Sequence, residues 1–200
     1  MRRSRTTSLK LSTAAATLAL LTSGTAFAAP ASATTTGTPA VAAAGPEKCS
    51  TSSGANGRDL DLPGDKPDTH VYIENCGQLH APATGPAWVS GRTGINWMIL
   101  VDQVIDRSKR FTSFKVTTRL ESRPGQTGAD TVRSSRTCDF TANLNAHWGH
   151  ATTLNCHAIP VDNPVDTILW WSTDATVVYD LEGDTQGPVT WELNGSPLQS

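Results

Sequence analysis

Along residues 111–120 the chain alternates, with Phe114, Val116, Thr118 and Leu120 on one side and Lys115, Thr117 and Arg119 on the other. A period of two is the mark of a half-buried strand with its charged face outward. The same period recurs at 71–76, 95–105, 167–171, 176–181 and 189–193, all short segments rich in Val, Ile, Thr and aromatic residues. Segment 95–105 is long enough for a helix, but the alternation of Ile95, Trp97, Ile99 and Val101 predicts a strand. Turn clusters separate these segments: Gly85-Pro86, Gly91-Arg92-Thr93-Gly94, Asp106-Arg107-Ser108-Lys109, Arg123-Pro124-Gly125, Asp162-Asn163-Pro164, and the run from Gly183 to Pro188. Short strands broken by turns predict an all-β fold, an antiparallel β-sandwich of Ig-like or related two-sheet type, as one domain.

Two further stretches alternate. Cys138, Phe140, Ala142 and Leu144 share one face, as do Thr152, Leu154, Cys156 and Ala158. Folded back about Asn145-Ala146-His147-Trp148-Gly149, they form a hairpin that sets Cys138 opposite Cys156. Opposed antiparallel residues lie about 4.5 to 5.5 Å apart at Cα, within disulfide range. The expectation is a cross-strand Cys138–Cys156 bridge, which leaves Cys49 to pair with Cys76.

That framework needs an oxidising compartment, and the first 28 residues supply one. Arg2, Arg3, Arg5 and Lys10 precede an apolar run, residues 11–21, which leads to Ala26-Phe27-Ala28. This order of charge, apolar run and small-residue site predicts a signal peptide over 1–28, cleaved after Ala28. The run is too short for a spanning helix of about 20 residues. Residues 29–46 are mostly Ala, Thr, Pro, Gly, Val and Ser and read as a disordered linker or propeptide. The folded domain is then 47–200, in a secreted, extracellular protein. At that length a domain buries about 70% of its unfolded surface, enough for a core.

Loss of the leader removes four of the sixteen Lys and Arg and none of the eighteen Asp and Glu, taking the net charge from −2 to −6. A net-anionic chain is a poor nucleic-acid binder, because neutralising phosphates takes clustered cations. Binding to an anionic membrane surface is disfavoured likewise, and no membrane span is expected. The charge is uneven: 107–136 holds eight basic residues against Glu121 and Asp130, whereas 137–200 has no Lys or Arg. The basic band of Arg107, Lys109, Arg110, Lys115 and Arg119 is a candidate for an anionic polymer or an acidic protein partner. The alternative carries more weight: the acidic final third packs beside it, or its charges keep an edge strand soluble.

Other candidates are weaker. Six tryptophans suit sugar stacking or a protein interface, although burial of most of them is the favoured expectation; Trp148, at the hairpin tip, is the exception. Trp170 and Trp171 are adjacent on a strand and must face opposite ways. His147 and His150 have H-x-x-H spacing with His157 nearby, but a stable metal site needs three or four preorganised ligands, so no metal or cofactor is expected. His157, pointing opposite to Cys156, should be exposed. Asp59, Asp61 and Asp65, and again Asp180, Glu182 and Asp184, could form weak calcium sites, yet neither group has the twelve-residue loop pattern and both read as solvated charge. No G-x-S-x-G, H-E-x-x-H or phosphate-loop motif occurs.

The leading expectation is a non-enzymatic extracellular module binding a protein or glycan. A protein ligand would use a disulfide-held loop such as 145–149, and a glycan would need coplanar exposed tryptophans. The alternatives are a small hydrolase with its site assembled across strands, favoured by a concave pocket holding two convergent ionisable groups, or a structural, envelope-associated role.

Overall fold

A computed structural model describes residues 45–50, 56–82, 84–99, 108–147, 153–162 and 165–200. The expected leader, most of the linker, Arg107, Trp148, His150 and the end of the strand expected at 95–105 lie outside the described residues.

The described residues form nine strands and one short helix in the order β1 (Lys48–Cys49), β2 (Gly57–Leu60), β3 (Thr69–His80), β4 (Trp88–Ile99), β5 (Phe111–Arg123), β6 (Thr131–Asp139), α1 (Thr141–Ala146), β7 (Leu154–His157), β8 (Trp170–Leu181) and β9 (Val189–Glu192). All pairings are antiparallel. One sheet runs β1-β3-β4-β7, with β2 also on β3; the other runs β6-β5-β8-β9. The two sheets form a β-sandwich, as the alternation predicts.

Alternation decides which residues meet between the sheets. Val71, Ile73, Ile95 and Trp97 from the first sheet pack with Phe114, Val116, Ala175 and Val177 from the second. A smaller cluster gathers Val89, Leu120, Ala158, Val165 and Trp171. The interior also contains a polar chain. Thr118 Oγ1 donates to Thr93 Oγ1 across the sheets at 2.8 Å, and Thr93 Oγ1 donates to Asn75 Oδ1 at 2.8 Å. All three residues are fully buried, so each group exchanges water for a partner at little net cost while fixing the relation of β5 to β4 and β3.

Three expectations are corrected, and one strand has no counterpart in the alternation. Gly91-Arg92-Thr93-Gly94 is no turn but lies within β4. Gly91 is there because the sheets meet: a Cβ on it would lie 2.2 Å from Thr173 Oγ1. Segments 167–171 and 176–181 are not separate strands, since β8 runs unbroken through Trp170–Leu181. Strand β6, unmarked by any apolar alternation, is an edge strand with most residues exposed, where Arg133 and Arg136 suit a solvent-facing edge.

The last correction concerns the hairpin expected to carry Cys138 and Cys156. Both bridges form as expected, Cys49–Cys76 and Cys138–Cys156. Cys49 and Cys76 are directly opposed on β1 and β3. Cys138 and Cys156, however, belong to different sheets, and their bridge staples β6 to β7 with Cα atoms 5.8 Å apart. There is no 138–144 strand. The Asp139 carboxylate accepts from the Thr141 backbone N–H at 3.0 Å and from its hydroxyl at 2.6 Å, and that local turn opens α1. Those hydrogen bonds also hold the Asp139 carboxyl below the usual carboxylate range.

Candidate functional site: a pocket between two sheet edges

The basic band is dispersed by the fold. Arg110, expected as an accessible ligand contact, is fully buried. Its guanidinium Nη2 donates to the carbonyls of Leu144 and His147 at the C-terminal end of α1, where carbonyls lack partners within the helix. Asn145 completes this joint: its Oδ1 accepts from the backbone N–H groups of Arg110 at 2.9 Å and Phe111 at 3.0 Å. The 145–149 segment is therefore not a free hairpin tip at its start. His147 has an exposed side chain, and its carbonyl also accepts from the Trp97 indole at 3.2 Å.

Lys115 and Arg119 do stand on the outer face of β5, with Phe114, Val116, Thr118 and Leu120 buried on the inner face. Arg119 is enclosed by the acidic final third together with its own strand. Its Nε meets Glu121 at 3.0 Å, and its Nη2 lies 3.4 Å from Asp174 and 3.9 Å from Glu192. Burial raises the pKa of both Glu121 and Asp174, against the pull of Arg119. Burial also works against the Arg119 charge, but these carboxylates outweigh it and hold its pKa above the ordinary value. Lys109 pairs with Glu182 at 2.6 Å. From the final third, Glu182 pairs with Lys109, Asp174 and Glu192 flank Arg119, and the Leu144 and His147 carbonyls hold Arg110, while Lys109 and Lys115 stay exposed.

Tryptophan placement removes another surface. Trp97, Trp171 and Trp191 are buried, and Trp88 and Trp170 are half-buried. Trp88 stacks on His80 at 3.4 Å between ring centroids, and burial lowers the His80 pKa. His157 is exposed. The tightest grouping of metal-ligand types among the described residues is Glu47 with Cys49 and Cys76, whose sulfurs are committed to a disulfide.

What composition could not reveal is that two acidic stretches from opposite ends of the domain converge. A pocket of about 500 Å³ opens between the segment after β2 and the β8–β9 turn. Asp59 and Asp61 line it from one side and Asp184 and Gln186 from the other, with Leu60, Leu181 and Val189 as apolar walls and Tyr179 beside them. Asp180, Glu182 and Asp65 do not line it.

Its position follows from the topology. Among the described residues strand β2 pairs only with β3 and β9 only with β8, so the pocket lies where the described part of each sheet ends. The stapled edges, β6 and β7, are on the other side. Arg58 bridges the sheets here, donating to the Tyr179 hydroxyl at 3.1 Å with its guanidinium 5.0 Å from the Trp191 ring centroid. Gly187, with φ of 73°, supplies the left-handed step that the β8–β9 turn needs. Asp184 Oδ1 accepts from the backbone N–H groups of Gln186 and Gly187 and shapes that turn. Asp59 contacts His70 Nδ1 on β3. The acidic residues are visible in the sequence, but their shared pocket depends on how the sheets stack.

No protein-family model, curated protein or solved structure matches this chain.

Proposed function

We propose that this protein is an extracellular, non-enzymatic binding module whose ligand is a protein. The observation that carries this is the concave pocket between β2 and β9, with both apolar residues and carboxylates in its lining. Two disulfides fit an oxidising compartment. Among the described residues no helix is long and apolar enough to cross a membrane. A glycan ligand is less well supported, because none of the described tryptophans is fully exposed.

Convergent carboxylates in a pocket also meet the geometric condition for a hydrolase. Two features favour binding instead. Asp184 shapes its own turn and Asp59 is engaged by His70, so two of the three carboxylates already have structural partners. Glu121 and Asp174, whose carboxyl pKa burial raises in the direction acid catalysis uses, lie beside Arg119 and outside the pocket.

The test is retention from the producer's culture medium and cell wall on the immobilised full chain, with Val189→Arg as a filled-pocket control. The expected result is a defined protein retained by the native chain and lost with Val189→Arg. Equal retention by both would remove the pocket from the function. Turnover of chromogenic esters or glycosides that disappears in Asp61→Asn would establish the hydrolase.

A further inference from the structure

We infer that the pocket's occupant is the side chain of a lysine or arginine on a partner protein; this rests on the binding-module reading above. Three observations lead there. The first is charge: Asp59, Asp61 and Asp184 contribute to the lining, and no Lys or Arg does. The neighbouring cations are otherwise engaged. Arg58 is held by Tyr179 and Trp191, and Lys66 donates to the carbonyls of Lys109 at 2.8 Å and Glu182 at 3.1 Å. Asp59 is engaged by His70, but Asp61 has no ion-pair partner among the described residues, so the lining keeps negative charge that favours a cation from outside.

The second observation is spacing. Asp59, Asp61 and Asp184 do not bring three oxygens within mutual reach of one metal ion. Carboxylates spread around a pocket of about 500 Å³ fit a larger cation with a body. Leu60, Leu181 and Val189 supply the complement to that body. Lysine and arginine carry an aliphatic stem that packs on apolar surface while the charged head reaches polar groups.

The third is location. The pocket is lined from β2 and β9, each of which has one edge without a strand partner among the described residues. An extended segment can lie along such an edge through its backbone and send one side chain inward, whereas a free amine gains nothing from the edge. The occupant is therefore a side chain on a chain. The sign is opposite to that of the basic band: Arg110 and Arg119 are engaged within the fold, and the pocket lining is acidic.

The inference is tested by titrating the isotope-labelled full chain with short capped peptides centred on Lys, Arg, Nε-acetyl-Lys or Glu, and separately with calcium chloride, following the backbone amides of Gly64, Leu181 and Gln186. The expected outcome is saturable shifts with the Lys or Arg peptide only, weakened about tenfold by Asp61→Asn, the scale of one charge-assisted contact. Equal shifts with the acetylated peptide overturn the cation inference and leave the pocket as a binding site. Calcium displacing the Lys peptide at lower concentration overturns it in favour of a metal. If no probe moves these amides, the inference fails, and the retention experiment separately decides whether the pocket binds a protein.

Discussion

Asn56 and Asn194, 138 positions apart, hold each other by two hydrogen bonds. Asn56 Nδ2 donates to the Asn194 carbonyl at 3.0 Å, and Asn56 Oδ1 accepts from the Asn194 backbone N–H at 2.6 Å. Asn75 Nδ2 donates to the same carbonyl at 2.9 Å. Asn56 is fully buried, so Asn56→Ala strands a backbone N–H out of water. The expected loss is about 2 to 3 kcal/mol by urea denaturation, and a loss under about 0.5 kcal/mol would show that the clasp is dispensable.

The close approach of the sheets at Gly91 predicts a steric penalty. A methyl there would meet Thr173 Oγ1 at 2.2 Å and Leu120 Cδ2 at 2.8 Å. Gly91→Ala should cost about 2 to 3 kcal/mol, the range of an overpacked core. Adding Thr173→Ala removes the nearest atom and should recover part of the loss in a double-mutant cycle. Strict additivity would place the clash elsewhere.

Arg110 is a joint of the fold and should behave as one. Arg110→Met removes the donor to the Leu144 and His147 carbonyls and should destabilise by about 2 to 4 kcal/mol. Lys115→Met, on the exposed face, should stay within about 0.5 kcal/mol. Equal effects in thermal or urea unfolding would contradict this contrast.

The carboxyl groups around Arg119 predict a pH response. Glu121 and Asp174 have raised pKa values in the folded chain, so the folded state binds their protons more tightly than the unfolded state does. Their contribution is complete below the unfolded pKa and is lost as pH rises through the folded one. The stability of the native chain relative to Glu121→Gln should therefore increase on going from neutral pH into the acid range. Parallel urea titrations at the two pH values would show it, and a difference that stays flat or shrinks would exclude it.

The inter-sheet bridge makes a covalent prediction. Non-reducing peptide mapping should recover Cys138 joined to Cys156 and Cys49 joined to Cys76. The Cys138→Ser/Cys156→Ser chain should lose about 3 kcal/mol, the loop-entropy value for a closed loop of similar length to its separation of 18 residues. Recovery of Cys76 joined to Cys138 would contradict the fold itself.

Residues with one face in the core were readable from sequence, because burial imposes period two on them; β5 shows it through Phe114, Val116, Thr118 and Leu120. The exposed edge strand β6 carries no such imprint. At 138–144 the pattern was ambiguous for a geometric reason. Phe140 and Leu144 are four apart, a spacing that satisfies two steps of a strand and one turn of a helix alike. The Asp139 to Thr141 turn signal decides for the helix, and the cysteine pairing emerges correctly from a wrong hairpin. Of the site, the carboxylates were visible and their convergence was not. Asp61 and Asp184 line one pocket because β2 and β9 end the described sheets on the same side.

The Cys138–Cys156 staple gives the sandwich the anatomy of a bound book. Its spine is sewn at β6 and β7; the leaves part, when they part, at the fore-edge, where Asn56, Arg58 and the pocket lie. Hydrogen bonds and a cation over a ring open more readily than a covalent bond. A segment seated at the fore-edge would touch both leaves at once, so its binding energy would also resist their separation. Occupancy should then be legible as a rise in the melting temperature of the whole domain.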